Sequence, residues 1–203
     1  MIALVDYGAG NLTSVRKALT SLGAEFMTPT SPSECRDAAG LIVPGVGNFA
    51  ATTALDEEWR EAIGDAVRRG TPLFGICVGM QWLFEGSEEA PDVPGLGVLP
   101  GRVARLRGDA VLRLKIPHVG WNALENTRAC RLLAGLPPRA HVYFTHSYAA
   151  PVTADCAAST THAEPFSAVV ERDRIFGVQF HPEKSGDAGL RILGNFLEVC
   201  ARC

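Results

Sequence analysis

The sequence predicts an α/β protein: one doubly wound, mostly parallel sheet with an antiparallel extension, and helices on both faces. Three observations carry that reading. In the first half, short apolar runs alternate with segments whose apolar residues recur at helical spacing, the pattern of successive βα units. From Arg102 to Phe180, β-like runs follow one another with few helical stretches between them. The chain has 203 residues, 47% of them hydrophobic, which suits one large core and one domain over 1–203.

Each element has its own signal. Ile2-Ala3-Leu4-Val5 is a short apolar strand. Leu12, Val15, Leu19 and Leu22 recur three or four apart as one helix face, and Gly23 tolerates the backbone that stops a helix. Glu25-Phe26-Met27 is a second strand. Gly40-Leu41-Ile42-Val43 is a third, running into the loop Pro44-Gly45-Val46-Gly47. Leu55, Trp59, Ile63 and Val67 mark one face of the next helix, with Glu57, Glu58, Glu61, Arg68 and Arg69 on the other. Gly70 and Pro72 end it. Pro72-Leu73-Phe74 is a buried strand, and Met80-Gln81-Trp82-Leu83-Phe84 begins a helix. Ala90–Gly101 holds three prolines and three glycines and reads as a long surface loop. Val103–Leu106, Val142–Thr145, Ala168–Val170 and Ile175–Phe180 then form the antiparallel extension. The last helix carries Leu190, Leu193, Phe196, Leu197 and Cys200 on one side.

Composition removes several function classes. A net charge of −3 offers nothing to a polyanion such as nucleic acid. The longest apolar runs are too short to span a bilayer. Met1-Ile2-Ala3-Leu4-Val5-Asp6 has neither the basic region nor the cleavage pattern of a secretory signal, so a cytoplasmic protein is expected. Six cysteines, at 35, 77, 130, 156, 200 and 203, are irregularly spaced, which argues against a disulfide framework or a zinc module and for a reducing compartment. Cys200-Ala201-Arg202-Cys203 is formally C-x-x-C, but it closes a helix and does not sit at a βα turn. Asn11-Leu12-Thr13 matches a glycosylation acceptor and reads more simply as a helix start.

The chemistry concentrates at Gly75-Ile76-Cys77-Val78-Gly79. A nucleophile between two glycines at a strand-to-helix turn is the pattern of a nucleophile elbow. The tight turn lifts the sulfur clear of the sheet, and the N–H groups of the following helix favour its thiolate. A plain buried cysteine at a glycine-rich turn is the alternative. About a hundred residues on, the strand Arg174–Phe180 ends in His181-Pro182-Glu183. Residues two apart in extended chain share a face, so His181 and Glu183 can point the same way. A carboxylate that orients an imidazole, with that imidazole facing a cysteine, is the logic of a catalytic triad. A lone His–Glu pair at a strand end is otherwise structural. Acyl chemistry also needs donors for an oxyanion. The Val78 N–H is one candidate, and the glycine-flanked loop holding Val46 and Gly47 supplies the second, unless that loop is an ordinary βα turn.

On these residues the chain resembles the class I, triad-type glutamine amidotransferases. The broad likeness rests on Gly75–Gln81 and His181-Pro182-Glu183. Five further blocks make it similar to the glutaminase subunits of imidazole glycerol phosphate synthases: Asp6–Asn11, Val43–Phe49, Ile116–Asn122, Tyr143–Tyr148 and Gly177–Ser185. They run from the first strand to the last helix. The resemblance implies that glutamine binds beside Cys77, held by Gln81 and by His146, Ser147 and Tyr148. It implies attack by the Cys77 thiolate, an oxyanion held by Val78 and the Val46–Gly47 loop, and proton transfer through His181 oriented by Glu183. It implies no cofactor and no metal. The ammonia would go to a separate cyclase subunit with a (β/α)₈ barrel, in a heterodimer, with Asn11, Trp121, Tyr143 and Lys184 facing that partner.

Three other readings stay open at this point. A glutaminase of another synthase, such as one making pyridoxal phosphate or anthranilate, is disfavoured by the Asp6–Asn11 and Ile116–Asn122 blocks. A non-catalytic regulatory module is disfavoured by the intact Cys77, His181 and Glu183. A stand-alone γ-glutamyl cysteine hydrolase would be active without a partner.

Overall fold

A computed structural model describes residues 1–109, 111 and 114–201. The first half builds βα units as the periodicity requires. β1 (Ile2–Leu4) leads into α1 (Leu12–Ser21), which buries Val15, Ala18 and Leu19. Gly23, at φ +69°, stops the helix, and the Gly23 and Ala24 amides return to the Thr20 and Leu19 carbonyls. β2 (Phe26–Met27) and β3 (Gly40–Gly45) follow. α2 (Glu57–Arg68) starts on Asp56, whose carboxylate accepts the Trp59 N–H at 3.2 Å. Glu57 and Glu58 occupy its first turn, where the helix dipole favours negative charge. β4 (Leu73–Cys77) is buried at every residue and passes directly into α3 (Val78–Trp82).

The remaining strands are β5 (Gly86–Ser87), β6 (Ala90–Pro94), β7 (Arg102–Arg105), β8 (His118–Ala123), β9 (His141–His146), β10 (Tyr148–Ala149), β11 (Cys156–His162), β12 (Glu164–Arg172) and β13 (Ile175–Val178). The chain closes on α4 (Gly186–Ala201). Among the described residues, the main sheet has the order β11-β12-β13-β4-β3-β1-β2. Its β13, β4, β3, β1 and β2 are parallel, and β12 and β11 extend it antiparallel.

The two faces of the sheet are set by side-chain alternation. Phe74 pairs with Phe176 across β4 and β13, and Gly75 with Gly177. The phenylalanine face receives α4: Phe196 lies 5.0 Å from Phe74 and 6.0 Å from Phe176, centroid to centroid. The glycine face receives α3. A Cβ on Gly177 would come within 2.7 Å of Met80 Cγ, and one on Gly75 within 2.7 Å of the Met80 Cα.

Two expectations need correction. The second-half strands do not all extend one sheet, and β13, read as part of the antiparallel extension, runs parallel to β4. β7 joins β5, β6 and β10 in a separate four-stranded sheet, and β8 pairs with β9 alone. Alternation tells which face of a strand is buried, but not which neighbour it pairs with, and β7 buries only Val103. The segment Ala90–Gly101 is not all loop, because β6 pairs with β5 at Gly86 and Ser87. β6 is an edge strand, where Pro91 and Pro94 cost no ladder bond.

Pro44 has a structural consequence. The Val5 N–H donates to the Ile42 carbonyl at 2.9 Å. The next bond on that side would need a Pro44 N–H, which does not exist. The chains after β1 and β3 therefore part at their carboxyl ends, while β3 continues beside β4 as far as Gly45 opposite Cys77.

The close approach of α3 to β3 leads to a test. A Cβ on Gly79 would overlap the Val43 carbonyl, which is backbone and has no rotamer to yield. Gly79→Ala should lower stability by about 2 kcal/mol or more, read as a shift in the urea midpoint. Wild-type stability in that variant would refute the packing.

Candidate active site

β4 ends in Cys77 with φ +54° and ψ −110°, a left-handed backbone that a residue with a Cβ rarely adopts. Such strain persists only where surroundings over-determine it, and here α3 is clamped on the sheet one residue later. Cys77 is almost wholly buried. The parallel register carries the partner residues into place. Val178 pairs with Ile76, so Gln179 comes level with Cys77, and its Nε2 donates to the sulfur at 3.7 Å.

His181 follows two residues later. Its N–H donates to the Tyr143 carbonyl at 2.9 Å, and its own carbonyl accepts the Ser185 hydroxyl at 2.6 Å. The same hydroxyl accepts the Tyr143 N–H at 3.0 Å, so one serine bridges β9 and the turn after His181. The imidazole Nδ1 lies 2.9 Å from Glu183 Oε1, and the two side chains are 2% and 1% exposed. His181 Nε2 is buried with no aligned hydrogen-bond partner, and the Cys77 sulfur is close enough to act on it. Burial alone would push this imidazole down. The Cys77 sulfur and then the Glu183 carboxylate outweigh burial and raise it from 6.5 to about 10.

The sulfur opens on a cavity of about 450 Å³. Val46, Gly47, Val78, Gln81, His146, Ser147, Tyr148 and His181 all line it, as do Asn11 and Lys184, which the sequence placed at a partner face. Asn11 stands immediately before α1, in keeping with its reading as a helix start: its carbonyl accepts the Ser14 and Val15 N–H groups, while its side chain makes no cap. Glu183 lies behind His181 and does not line the cavity. Trp121, 57% exposed, sits edge-on to Tyr143 at 6.2 Å, and Lys184 Nζ lies 6.0 Å over the Tyr143 ring. These three form a patch beside the cavity mouth.

Several lining groups are already engaged by protein. The Val46 N–H donates to the Ala9 carbonyl at 3.0 Å. Gln81 Nε2 donates to the Tyr148 carbonyl at 2.9 Å and to Gln179 Oε1 at 3.2 Å. Both ring nitrogens of His146 face protein atoms, the Tyr148 carbonyl and His118.

Sequence reasoning missed three residues here. Gln179 could have been found by counting one step along the β13 register. Tyr7 packs its hydroxyl against Gly45; burial, then the Cys77 charge, push that phenol up. Glu89 lines the cavity while accepting the Phe49 N–H at 2.8 Å, and no local pattern marked it. Among the described residues, no helix is long and apolar enough to cross a membrane. The described cysteines are unbridged; Cys203 lies outside the described residues.

The family described as Glutamine amidotransferase class-I matches residues 3–200. The imidazole glycerol phosphate synthase subunit HisH of Desulfitobacterium hafniense is 47% identical over 200 residues, covering 97% of this chain and 93% of that one. The subunit of the same name from Thermococcus kodakarensis is 45% identical over 202 residues, covering 97% and 98%.

The chain belongs to the class-I glutamine amidotransferases, in their HisH branch.

The fold agrees as well. A solved glutamine amidotransferase, 23% identical, superposes with a TM-score of 0.76 over 98% of each chain.

The raised imidazole of this amidotransferase has a thermodynamic consequence. A histidine whose folded pKa, about 10, exceeds its ordinary 6.5 binds its proton more tightly in the folded state. Its contribution to stability is complete below about pH 6.5 and is lost as pH rises toward about 10. The stability difference between wild type and His181→Gln should therefore shrink over that interval in urea unfolding. A difference that stays constant or widens would contradict the assigned environment.

Proposed function

We propose that this chain hydrolyses L-glutamine through a Cys77 thioester and supplies the ammonia to a separate cyclase subunit. The observation that carries the reading is the convergence of Cys77, on its strained elbow, with His181 in the lining of one cavity, and with Glu183 hydrogen-bonded behind that imidazole. Membership in the HisH branch supports the destination of the ammonia. The subunit names of the relatives imply a partner.

The steps follow from the groups present. Glutamine enters with its side-chain amide beside Cys77. Glu89, a carboxylate on the cavity wall, suits the α-ammonium. His181, driven up to about 10, already holds the proton, and the Cys77 sulfur attacks the amide carbon as the thiolate. Glu183, hydrogen-bonded to Nδ1, fixes the ring so that Nε2 faces the reaction and stabilises the imidazolium. His181 then gives its proton to the leaving nitrogen. The C–N bond breaks, ammonia departs and a γ-glutamyl thioester remains. His181 next accepts a proton from water, the hydroxide attacks the thioester, and glutamate leaves as the C–S bond breaks, which returns the thiolate beside the imidazolium.

The tetrahedral intermediates need two oxyanion donors. The Val78 N–H, first in α3, is one. The Val46 N–H is held by the Ala9 carbonyl and reaches the oxyanion only after leaving it. The resting site is then short of a donor, and docking of a partner against Trp121, Tyr143 and Lys184 at the mouth is what turns the loop. The partner is a (β/α)₈ cyclase that converts a phosphorylated ribulosyl aminoimidazole carboxamide ribonucleotide to imidazole glycerol phosphate and aminoimidazole carboxamide ribotide, in the cytoplasmic synthesis of histidine.

Two experiments bear on this. Cys77→Ala should abolish glutamine hydrolysis while the complex still forms product from added ammonia. His181→Ala should be nearly as damaging, and Glu183→Gln less so, because it keeps the base. Glutamine turnover by Cys77→Ala would end the proposal. Separately, steady-state hydrolysis by the isolated chain should rise by about 10²–10³-fold with cyclase and nucleotide, the scale of one oxyanion donor. Equal turnover in both states would favour a stand-alone hydrolase.

A further inference from the structure

A second buried polar cluster lies in the cavity wall away from the triad. His118 stacks on His162 with ring centroids 4.2 Å apart, and on Phe144 at 4.8 Å. Its Nδ1 is 3.1 Å from His146 Nε2. Burial first, then the neighbouring His162 charge, pushes His118 down to about 4. Burial outweighs the Tyr148 carbonyl and brings His146 down to about 3. Both rings are neutral near pH 7. Among the described residues, no group of histidine, cysteine and carboxylate side chains is arranged to hold a metal.

Neutrality fixes the direction of the hydrogen bonds, because a neutral imidazole has one donor and one acceptor nitrogen. His146 Nδ1 lies 2.9 Å from the Tyr148 carbonyl, which only accepts. That nitrogen therefore carries the hydrogen, and His146 Nε2 is the acceptor. His118 Nδ1 opposite it must donate, which leaves His118 Nε2 to accept from the Asn122 amide at 3.4 Å. Donation runs one way, from Asn122 through His118 and His146 to Tyr148. The Tyr148 carbonyl also receives Gln81, and Gln81 reaches Gln179, the donor to the Cys77 sulfur. His162, on the other face of the His118 ring, donates to the Lys115 carbonyl at 2.8 Å, two residues from the cavity-lining Pro117. One ring stack thus ties down two stretches of the rim.

We infer that His118 is a positioning residue for glutamine: through His146 it fixes the Ser147–Tyr148 backbone that forms one wall of the substrate cavity. The inference rests on the glutaminase reading above. His118 does not line the cavity and touches neither substrate nor sulfur. Removing its donor leaves the buried His146 Nε2 unpaired, and the wall relaxes. Ground-state binding weakens, while the triad keeps its geometry.

The test is steady-state glutamine hydrolysis by the complex with cyclase and nucleotide, with thermal unfolding of each variant alongside. His118→Phe keeps the ring stack and removes the donor. Its KM for glutamine should rise roughly tenfold, the scale of one buried hydrogen bond, with kcat within about twofold of wild type. His118→Asn places an amide N–H near the Nδ1 position and should return KM to within about threefold of wild type. His118→Gln reaches the Nε2 position instead and should behave like His118→Phe, and it stands in if the phenylalanine variant does not fold. A wild-type KM in the donor-free variants overturns the inference. So does an equal KM in His118→Asn and His118→Phe, or a fall in kcat at constant KM. A wild-type complex that does not hydrolyse glutamine overturns the glutaminase reading itself.

Discussion

The seating of α3 on the sheet is the constraint from which the site follows. A helix can start one residue after a central strand only if its first turn lies against that strand and its neighbour. Gly75 and Gly79 remove the side chains that would prevent this, and the Val43 carbonyl sits where a Gly79 Cβ would be. The turn forces Cys77 into its left-handed backbone and aims the sulfur off the carboxyl edge of the sheet. From there, strand register does the rest. β13 runs parallel to β4, so Gln179 and then His181 arrive beside the sulfur without further design. Ser185 fastens the His181 backbone to β9, whose continuation supplies the opposite wall. The catalytic geometry is a property of two adjacent strands and one helix.

This explains what could be read from the residues. The elbow glycines, the apolar runs of β1, β3 and β4, and the His181-Pro182-Glu183 exit are local patterns, and each maps onto its element. Alternating βα units in the first half sufficed for the parallel sheet. The second half was less legible because pairing partners are not local. β7 and β12 look alike as strings, yet β12 joins the main sheet through β13 while β7 pairs with β5 and β10. The same limit applies to the cavity. Gln81, His146, Ser147 and Tyr148 came through likeness to a family, and all four line the cavity. Glu89 lies beside an edge strand with no periodicity to flag it. Likeness puts the segment His146–Tyr148 at the glutamine; the ring nitrogens of His146 themselves face His118 and the Tyr148 carbonyl.

Burial and charge act differently on two histidines that line the same cavity. His181 and His146 are both buried. In His181 the sulfur and the carboxylate beside it outweigh burial and drive it up; in His146 burial, aided by neighbouring imidazoles, outweighs the Tyr148 carbonyl and drives it down. The first is equipped to hold and move a proton. The second can only keep a fixed hydrogen-bond direction, which is what a wall requires.

Pro44 separates the loops after β1 and β3, and the single backbone bond from Val46 to Ala9 joins them again. A neutral hydrogen bond of this kind contributes about 1 kcal/mol net. At that strength alone, the turned loop would already be populated at roughly the 15 per cent level, and full release could raise occupancy by no more than about sixfold. A latch this weak is easily reversed by docking, but it has a ceiling. An activation of about 10²–10³-fold therefore requires either that the resting loop is held by more than this one bond or that a partner acts on the mouth patch as well as on the loop.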